Sequence, residues 1–138
     1  MTDREAIHQL MATYVYCIDA KDYQGIADCL LDDATFEYGG AANRQIGRDA
    51  IAAFLKEQLE PLHATQHLLA NFIVNADRDA ASLTCDVLAQ HVRDAAPGRA
   101  RRMAGGKYEV DLRRIAEGWK IARLSARSVW SDDSAASH

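Results

Sequence analysis

The chain has 138 residues, 49% of them hydrophobic and 26% charged, with a formal net charge of −4. This size is typical of one domain and allows roughly 68–70% of the unfolded surface to be buried without disulfides or metals. No apolar run reaches the ~18–20 residues of a membrane span, and a mildly acidic chain without a basic stripe is not typical of a nucleic-acid-binding protein. We therefore expect neither a membrane nor a nucleic acid as partner.

The cysteines and the first residues suggest the cellular setting. Cys17, Cys29 and Cys85 form an odd set without CxxC spacing, which favours a reduced, cytoplasmic protein. The first residues are polar and do not resemble a signal peptide.

The N-terminal segment predicts a long amphipathic helix. Thr2 and Glu5 have the spacing of a capping box, and apolar residues recur behind them at helical intervals up to Ile18. The pattern ends at a polar break that contains Asp19 and Asp22.

Two more helices and one strand are predicted before residue 61. A shorter helix covers about Tyr23–Leu31, and Thr35–Tyr38 alternates as a short strand does. Arg48–Glu60 has the pattern of a third helix, with Phe54 among its inward residues and a proline closing it.

The second half of the chain has strand character. The predicted strands cover about Gln66–Asn75, Ala81–Arg93, Met103–Arg114 and Trp119–Val129. A loop at Asp94–Arg102 separates two of them, and the other connections are short, which favours antiparallel pairing. Helices followed by a meander predict an α+β fold, with helices packed on a curved sheet. We expect one domain over residues 1–130 and a frayed polar tail at Ser131–His138.

Alternation along the strands predicts which side chains face the core. His91 and Tyr108 fall on inward, apolar rows of their strands. His67 lies opposite the more apolar row that contains Leu68 and Phe72, so it would point away from the core unless a bulge intervenes or both faces are covered.

Asp19 is the first candidate functional residue. A carboxylate at a helix C-terminus is disfavoured by the helix dipole, which indicates another reason for its position. Paired with a histidine, it would fix the ring tautomer and make the other ring nitrogen a better proton acceptor. Tyr14, Tyr38 and Tyr108 could donate hydroxyl hydrogen bonds to a reacting oxygen.

Two further clusters have simpler interpretations. His63 and His67 have the spacing of zinc ligands on a helix, but a proline ends the helix just before them, and we expect no metal site. Arg99, Arg101 and Arg102 most simply solvate a loop, and contact with an anionic substrate stays open.

Four segments resemble the nuclear transport factor 2-like superfamily in its SnoaL-like branch. They are YVYCIDAKDY, LLDDATFEY, IGRDAIAAFL and GWKIARL, and the resemblance spans about Ala6–Trp130. It implies a cone of three helices against a curved, mostly antiparallel sheet, with an apolar pocket between them. It also implies a homodimer formed through the outer sheet face, which would cover the Leu68/Phe72 row.

Within this branch, the segments DAKDY and ATQHLL are similar to those of scytalone dehydratases, and bile acid dehydratases have a similar Asp–His pair. The resemblance implies an active site without a cofactor. Its catalytic residues would be Asp19, His67, Tyr14, His91 and Tyr38. The residues in contact with substrate would be Tyr108, Phe54, Ile18 and Leu124.

Three functions are compatible with these residues. The first is a cofactor-independent lyase, or an isomerase, acting on a small apolar carbonyl or cyclic substrate. The alternative is a non-catalytic module that binds a ligand or a protein with the same fold. Epoxide hydrolysis would need an Asp/Arg/Asp set, for which Arg123 and Arg127 on a late strand are insufficient.

Overall fold

Three helices and a six-stranded sheet make up the computed structural model, which describes residues 1–93 and 100–133. The elements are α1 (Asp3–Ala20), α2 (Tyr23–Asp28), β1 (Leu30–Tyr38), a 3₁₀ turn (Ala41–Asn43), β2 (Arg44–Ile46), α3 (Arg48–Leu59), β3 (Ala64–Asp77), β4 (Ala80–Val92), β5 (Arg101–Ile115) and β6 (Gly118–Asp133). The strand order is β2-β1-β6-β5-β4-β3. All neighbours are antiparallel except β1 and β6, which run parallel. The predicted α+β class is confirmed.

Most predicted elements are confirmed near their expected limits. The exceptions are the C-terminal end of β6 and the boundary between α2 and β1. The last strand continues to Asp133, which pairs with Arg102, so the first residues of the predicted tail are ordered by β5. The remainder of that tail, and most of the predicted loop including Arg99, lie outside the described residues.

The region after α2 differs from its prediction. The helix ends at Asp28 rather than Leu31, and β1 begins at Leu30, which pairs with Ile121 of β6. Two consecutive buried leucines have no period-2 alternation, which is why the strand resembled a helix. Strand β2 at Arg44–Ile46 was not predicted because it has only three residues.

The end of α1 is fixed by a Schellman motif, with the C′ residue in the left-handed region. Lys21 has φ 56°, its amide donates to the carbonyl of Ile18 at 3.1 Å, and the amide of Asp22 donates to that of Cys17 at 2.8 Å. The motif holds Asp19 in the last turn of the helix, where its side chain can reach the start of β3.

Side chains from the helices and from the inner sheet face form one core. Its fully buried members include Ile7, Met11, Tyr14, Ile26, Ile51, Leu83, Val110, Ile121 and Leu124. The core lies under α1 and α3, and the site described below lies at its edge.

A β-bulge in β3 decides which way His67 points. The pairing of β3 with β4 shifts between Ala70 and Ile73, and Asn71 inside the shift has φ 57°. The extra residue inverts the alternation, so that His67 faces inward before the bulge and Val74 faces inward after it. The bulge therefore brings His67 and the more apolar residues at the end of the strand to the same face.

We predict that Asn71→Val lowers the free energy of unfolding by about 1–2 kcal/mol more than Asn71→Gly, because a β-branched side chain is strained in the left-handed region. Both variants lose the hydrogen bond from Asn71 Nδ2 to Asp86 Oδ2, 2.7 Å long, so their difference isolates the backbone effect. Urea unfolding measures both. Equal stabilities would contradict the role of Asn71 in the bulge.

Candidate active site

Asp19 from α1 and His67 from β3 meet in a network of three hydrogen bonds. His67 Nδ1 donates to Asp19 Oδ1 at 2.7 Å, and the Thr65 hydroxyl donates to the same oxygen at 2.9 Å. The backbone N–H of His67 donates to Asp19 Oδ2 at 2.9 Å. Because a carboxylate only accepts, Nδ1 carries a proton, and in the neutral ring the lone pair therefore lies on Nε2.

The network keeps Asp19 ionised at neutral pH. Only 9% of the His67 side chain and 25% of the Asp19 side chain are exposed. Burial raises the pKa of Asp19, but the hydrogen bonds from His67 and Thr65 outweigh it, and the net pKa lies below its usual value. An ionised carboxylate on Nδ1 stabilises the imidazolium that forms when Nε2 takes a proton.

The His67 ring lines a cavity of about 310 Å³ between the helices and the inner sheet face. Its apolar wall consists of Ile18, Phe36, Phe54, Leu55, Leu59, Leu62 and Ala126, and its polar groups belong to Tyr14, Tyr38, Gln58, His67, His91, Arg93, Arg102 and Tyr108. This volume is near the lower end of ordinary ligand pockets, about 300–1,000 Å³, and it fits a small molecule.

The structure places eight of the nine residues predicted for the site at or beside this cavity. Asp19 stands behind His67 and holds it, and seven others line the wall. The ninth residue, Leu124, is only 1% exposed and lies opposite Val110 in the sheet. It belongs to the core and does not line the cavity, which corrects its prediction as a substrate contact. Strand alternation distinguishes inward from outward, but it does not distinguish a cavity wall from the packed core.

The buried tyrosines are neutral hydrogen-bond donors. Burial raises the pKa of both Tyr14 and Tyr108 above the ordinary value, with smaller contributions from neighbouring acidic groups. Their hydroxyls therefore stay protonated at neutral pH. Tyr38 is 44% exposed, so it lies where the cavity meets solvent.

His91 stands beside the Asp19–His67 pair as a second, neutral imidazole. The two rings are 5.8 Å apart between centroids, at an interplanar angle of 81°. Burial lowers the pKa of His91, and the charges of His67 and Arg102 lower it further. Its buried Nδ1 has no hydrogen-bond partner among the described residues.

Two polar residues of the wall, Gln58 and Arg93, were not predicted from the sequence, and for Arg102 a contact with substrate was left open. Arg102 was expected in a solvated loop, but it belongs to β5 and pairs with His91 of β4. His91 was predicted to point inward, and directly opposed residues share a face. Knowledge of the β4–β5 register would therefore have predicted that Arg102 points inward as well.

The other candidates do not join this site. His63 is exposed, and residues 1–93 and 100–133 contain no cluster of three His, Cys, Asp or Glu side chains placed to hold a metal. Arg123 donates to Asp111 at 2.8 Å. The three cysteines are buried free thiols. In the same ranges, no helix has the length and apolar character needed to cross a lipid bilayer.

Comparison with solved structures defines the class of the fold, which is that of nuclear transport factor 2-like proteins. A proposed scytalone dehydratase from Novosphingobium aromaticivorans superposes with a TM-score of 0.85 at 24% identity, covering 94% of this chain and 86% of that one. A type 2 hexachlorocyclohexane dehydrochlorinase superposes with a TM-score of 0.83 at 20% identity, covering 94% and 87%.

The family follows from the sequence match. The family model of the SnoaL-like domain covers residues 1–125, and the chain belongs to this family. Among its relatives, the uncharacterized protein Rv2910c of Mycobacterium tuberculosis is 27% identical over 124 residues, which are 89% of this chain and 83% of the relative.

We predict that Asp19→Ala lowers the free energy of unfolding by about 1–3 kcal/mol, because it leaves the half-buried N–H of His67 without an acceptor. Asp33→Ala is the matched control, since Asp33 is exposed on β1 and its loss should change stability by less than about 0.5 kcal/mol. Chemical denaturation measures both variants. An Asp19→Ala protein as stable as the control would contradict the network.

Proposed function

We propose that the protein is a cofactor-independent lyase or isomerase of the dehydratase type, with His67 as general base and Asp19 as its positioning residue. The observation that carries the proposal is the 2.7 Å contact between Asp19 Oδ1 and His67 Nδ1 at the wall of an apolar cavity. The similar structures support it, because dehydratase and dehydrochlorinase both name eliminations.

The first step is removal of a proton from a carbon next to a carbonyl or on an activated ring. The lone pair on His67 Nε2 takes the proton, and the electron pair of the C–H bond moves toward the carbonyl to give an enolate. Hydroxyls of Tyr14 or Tyr108, kept neutral by burial, donate hydrogen bonds to the enolate oxygen. Asp19 stabilises the imidazolium through Nδ1.

The second step depends on the substrate. When a hydroxyl stands on the adjacent carbon, the enolate electrons form the new double bond and the C–O bond breaks. The imidazolium of His67 or the hydroxyl of Tyr38 then donates a proton to the departing oxygen, to which the neutral ring of His91 can donate a hydrogen bond, and water leaves. Without a leaving group, return of the proton from His67 to a different carbon gives an isomer.

We predict that His67→Ala slows proton transfer from carbon by about 10²–10⁴-fold, the usual contribution of a general base. Hydroxylated carbonyl and polycyclic compounds are first screened by thermal shift. For each hit, nuclear magnetic resonance then follows exchange of the acidic C–H in heavy water, which needs no leaving group. Asp19→Asn should slow exchange in the same direction.

His63→Ala is the matched control, because His63 is exposed and lies outside the cavity wall. Exchange at the wild-type rate in both His67→Ala and Asp19→Asn would contradict the proposal. Ligands that bind without any exchange would instead indicate a non-catalytic binding module.

We also propose that the outer sheet face forms a homodimer. Leu68, Leu88, Gly105 and Trp130 pair in turn across four strands, and 57% of Leu68 and 48% of Trp130 are exposed. The predicted Leu68/Phe72 row is wrong in one member, because the bulge turns Phe72 inward onto His8, with ring centroids 4.4 Å apart.

We predict that Leu68→Glu converts this dimer to a monomer in light scattering after gel filtration, because an unpaired carboxylate in an apolar interface is costly to desolvate. Ile46→Glu is the control, since Ile46 is equally apolar and 66% exposed but lies at the other edge of the sheet. A wild-type monomer, or identical masses for both variants, would contradict the interface.

A further inference from the structure

We infer that the cavity takes a substrate with an anionic group, a carboxylate in the simplest case, and that Arg102 binds this group. The inference names the substrate class of the proposed lyase or isomerase and rests on the cavity being its substrate site. It depends on the placement of one guanidinium and on the charges around it.

Arg102 faces the cavity because of its register in the sheet. It is the direct partner of His91 in the β4–β5 pair, and directly opposed residues of antiparallel strands project to the same face. His91 lies on the cavity wall, and Arg102 lines the wall beside it. The positive charge is thus placed next to the catalytic pair and not in the solvated loop.

Among the residues that the structure describes, Arg102 has no carboxylate partner. Arg93, the other guanidinium of the wall, donates to Asp133 at 2.7 Å, and Asp19 is engaged by His67 and Thr65. Within the described ranges, no carboxylate forms an ion pair with Arg102. A half-buried guanidinium without a counter-ion is unfavourable, and an anionic ligand group supplies charge-assisted hydrogen bonds that relieve it.

The position of His91 orients such a substrate. His91 lies directly opposite Arg102 in the sheet, and its ring is 5.8 Å from that of His67 between centroids. A small acid bound by its carboxylate at Arg102 therefore extends along the apolar wall with its other end near His67 Nε2. Hydroxy acids and keto acids with a short apolar body have this shape.

The test compares the binding of cinnamate and cinnamamide, which share an apolar body and differ in charge. We expect isothermal titration calorimetry at fixed ionic strength to show cinnamate binding about tenfold more tightly, the usual size of a charge-assisted hydrogen bond. Arg102→Gln should remove this preference, and Arg102→Lys should retain part of it.

Arg113→Gln is the matched control, because Arg113 is an exposed arginine on the same strand and its loss changes the net charge equally. It should leave the preference for cinnamate intact. Three results would overturn the inference: no preference in the wild type, including no binding of either compound; a preference that persists in Arg102→Gln; or an equal loss in Arg113→Gln.

This binding experiment is independent of turnover. His67→Ala should keep the preference for cinnamate, because His67 does not bind the carboxylate. Normal proton exchange in His67→Ala would refute the general base and leave the anion site standing. If the wild type showed no preference for cinnamate while proton exchange still depended on His67, only the anion site would be refuted.

Discussion

The carboxylate of Asp19 is the group on which the site depends, because it holds together two segments that are 48 residues apart in the chain. It lies in the last turn of α1, where the helix dipole costs a carboxylate about 0.3–1 kcal/mol. Three hydrogen bonds from Thr65 and His67 compensate for this position. They fix the ring of His67 before any ligand arrives, so the pair needs no reorganisation for the proposed proton transfer.

A single extra residue makes this contact possible. With strict alternation, β3 could direct either His67 or its later apolar residues toward the core, but not both. The bulge at Asn71 removes the conflict. The local backbone of one strand thus places the proposed base on the same face as the core, which is how a mostly apolar sheet comes to carry a polar group at its edge.

The sequence alone predicted the periodic features well. Helical spacing located α1 and α3, and alternation placed His91 and Tyr108 on the inner face. Alternation could not predict the bulge, because a bulge interrupts the two-residue period on which the strand prediction is based. No turn residues flank Asn71 to indicate the interruption. The pairing of Asp19 with His67 came from family resemblance, since no local pattern relates a helix end to a distant strand.

The polar residues of the cavity differ in how far the sequence predicts their position. Tyr14 and Tyr108 are large side chains on regular apolar rows, so their burial follows from spacing. Arg102 is different, because its position depends on where β5 begins after a long connection, and a cluster of arginines there resembles a solvated loop. The result is a cavity with neutral donors on one part of its wall and the guanidinium of Arg102 on another.

The tautomer of His67 tests the central claim most directly. A long-range proton–nitrogen correlation spectrum of the imidazole, recorded for the wild type and for Asp19→Asn, identifies which ring nitrogen carries the proton in the neutral ring. We expect a protonated Nδ1 and an unprotonated Nε2 in the wild type, with this pattern altered in the variant. A wild-type ring protonated on Nε2, or a spectrum unchanged by Asp19→Asn, would contradict the account.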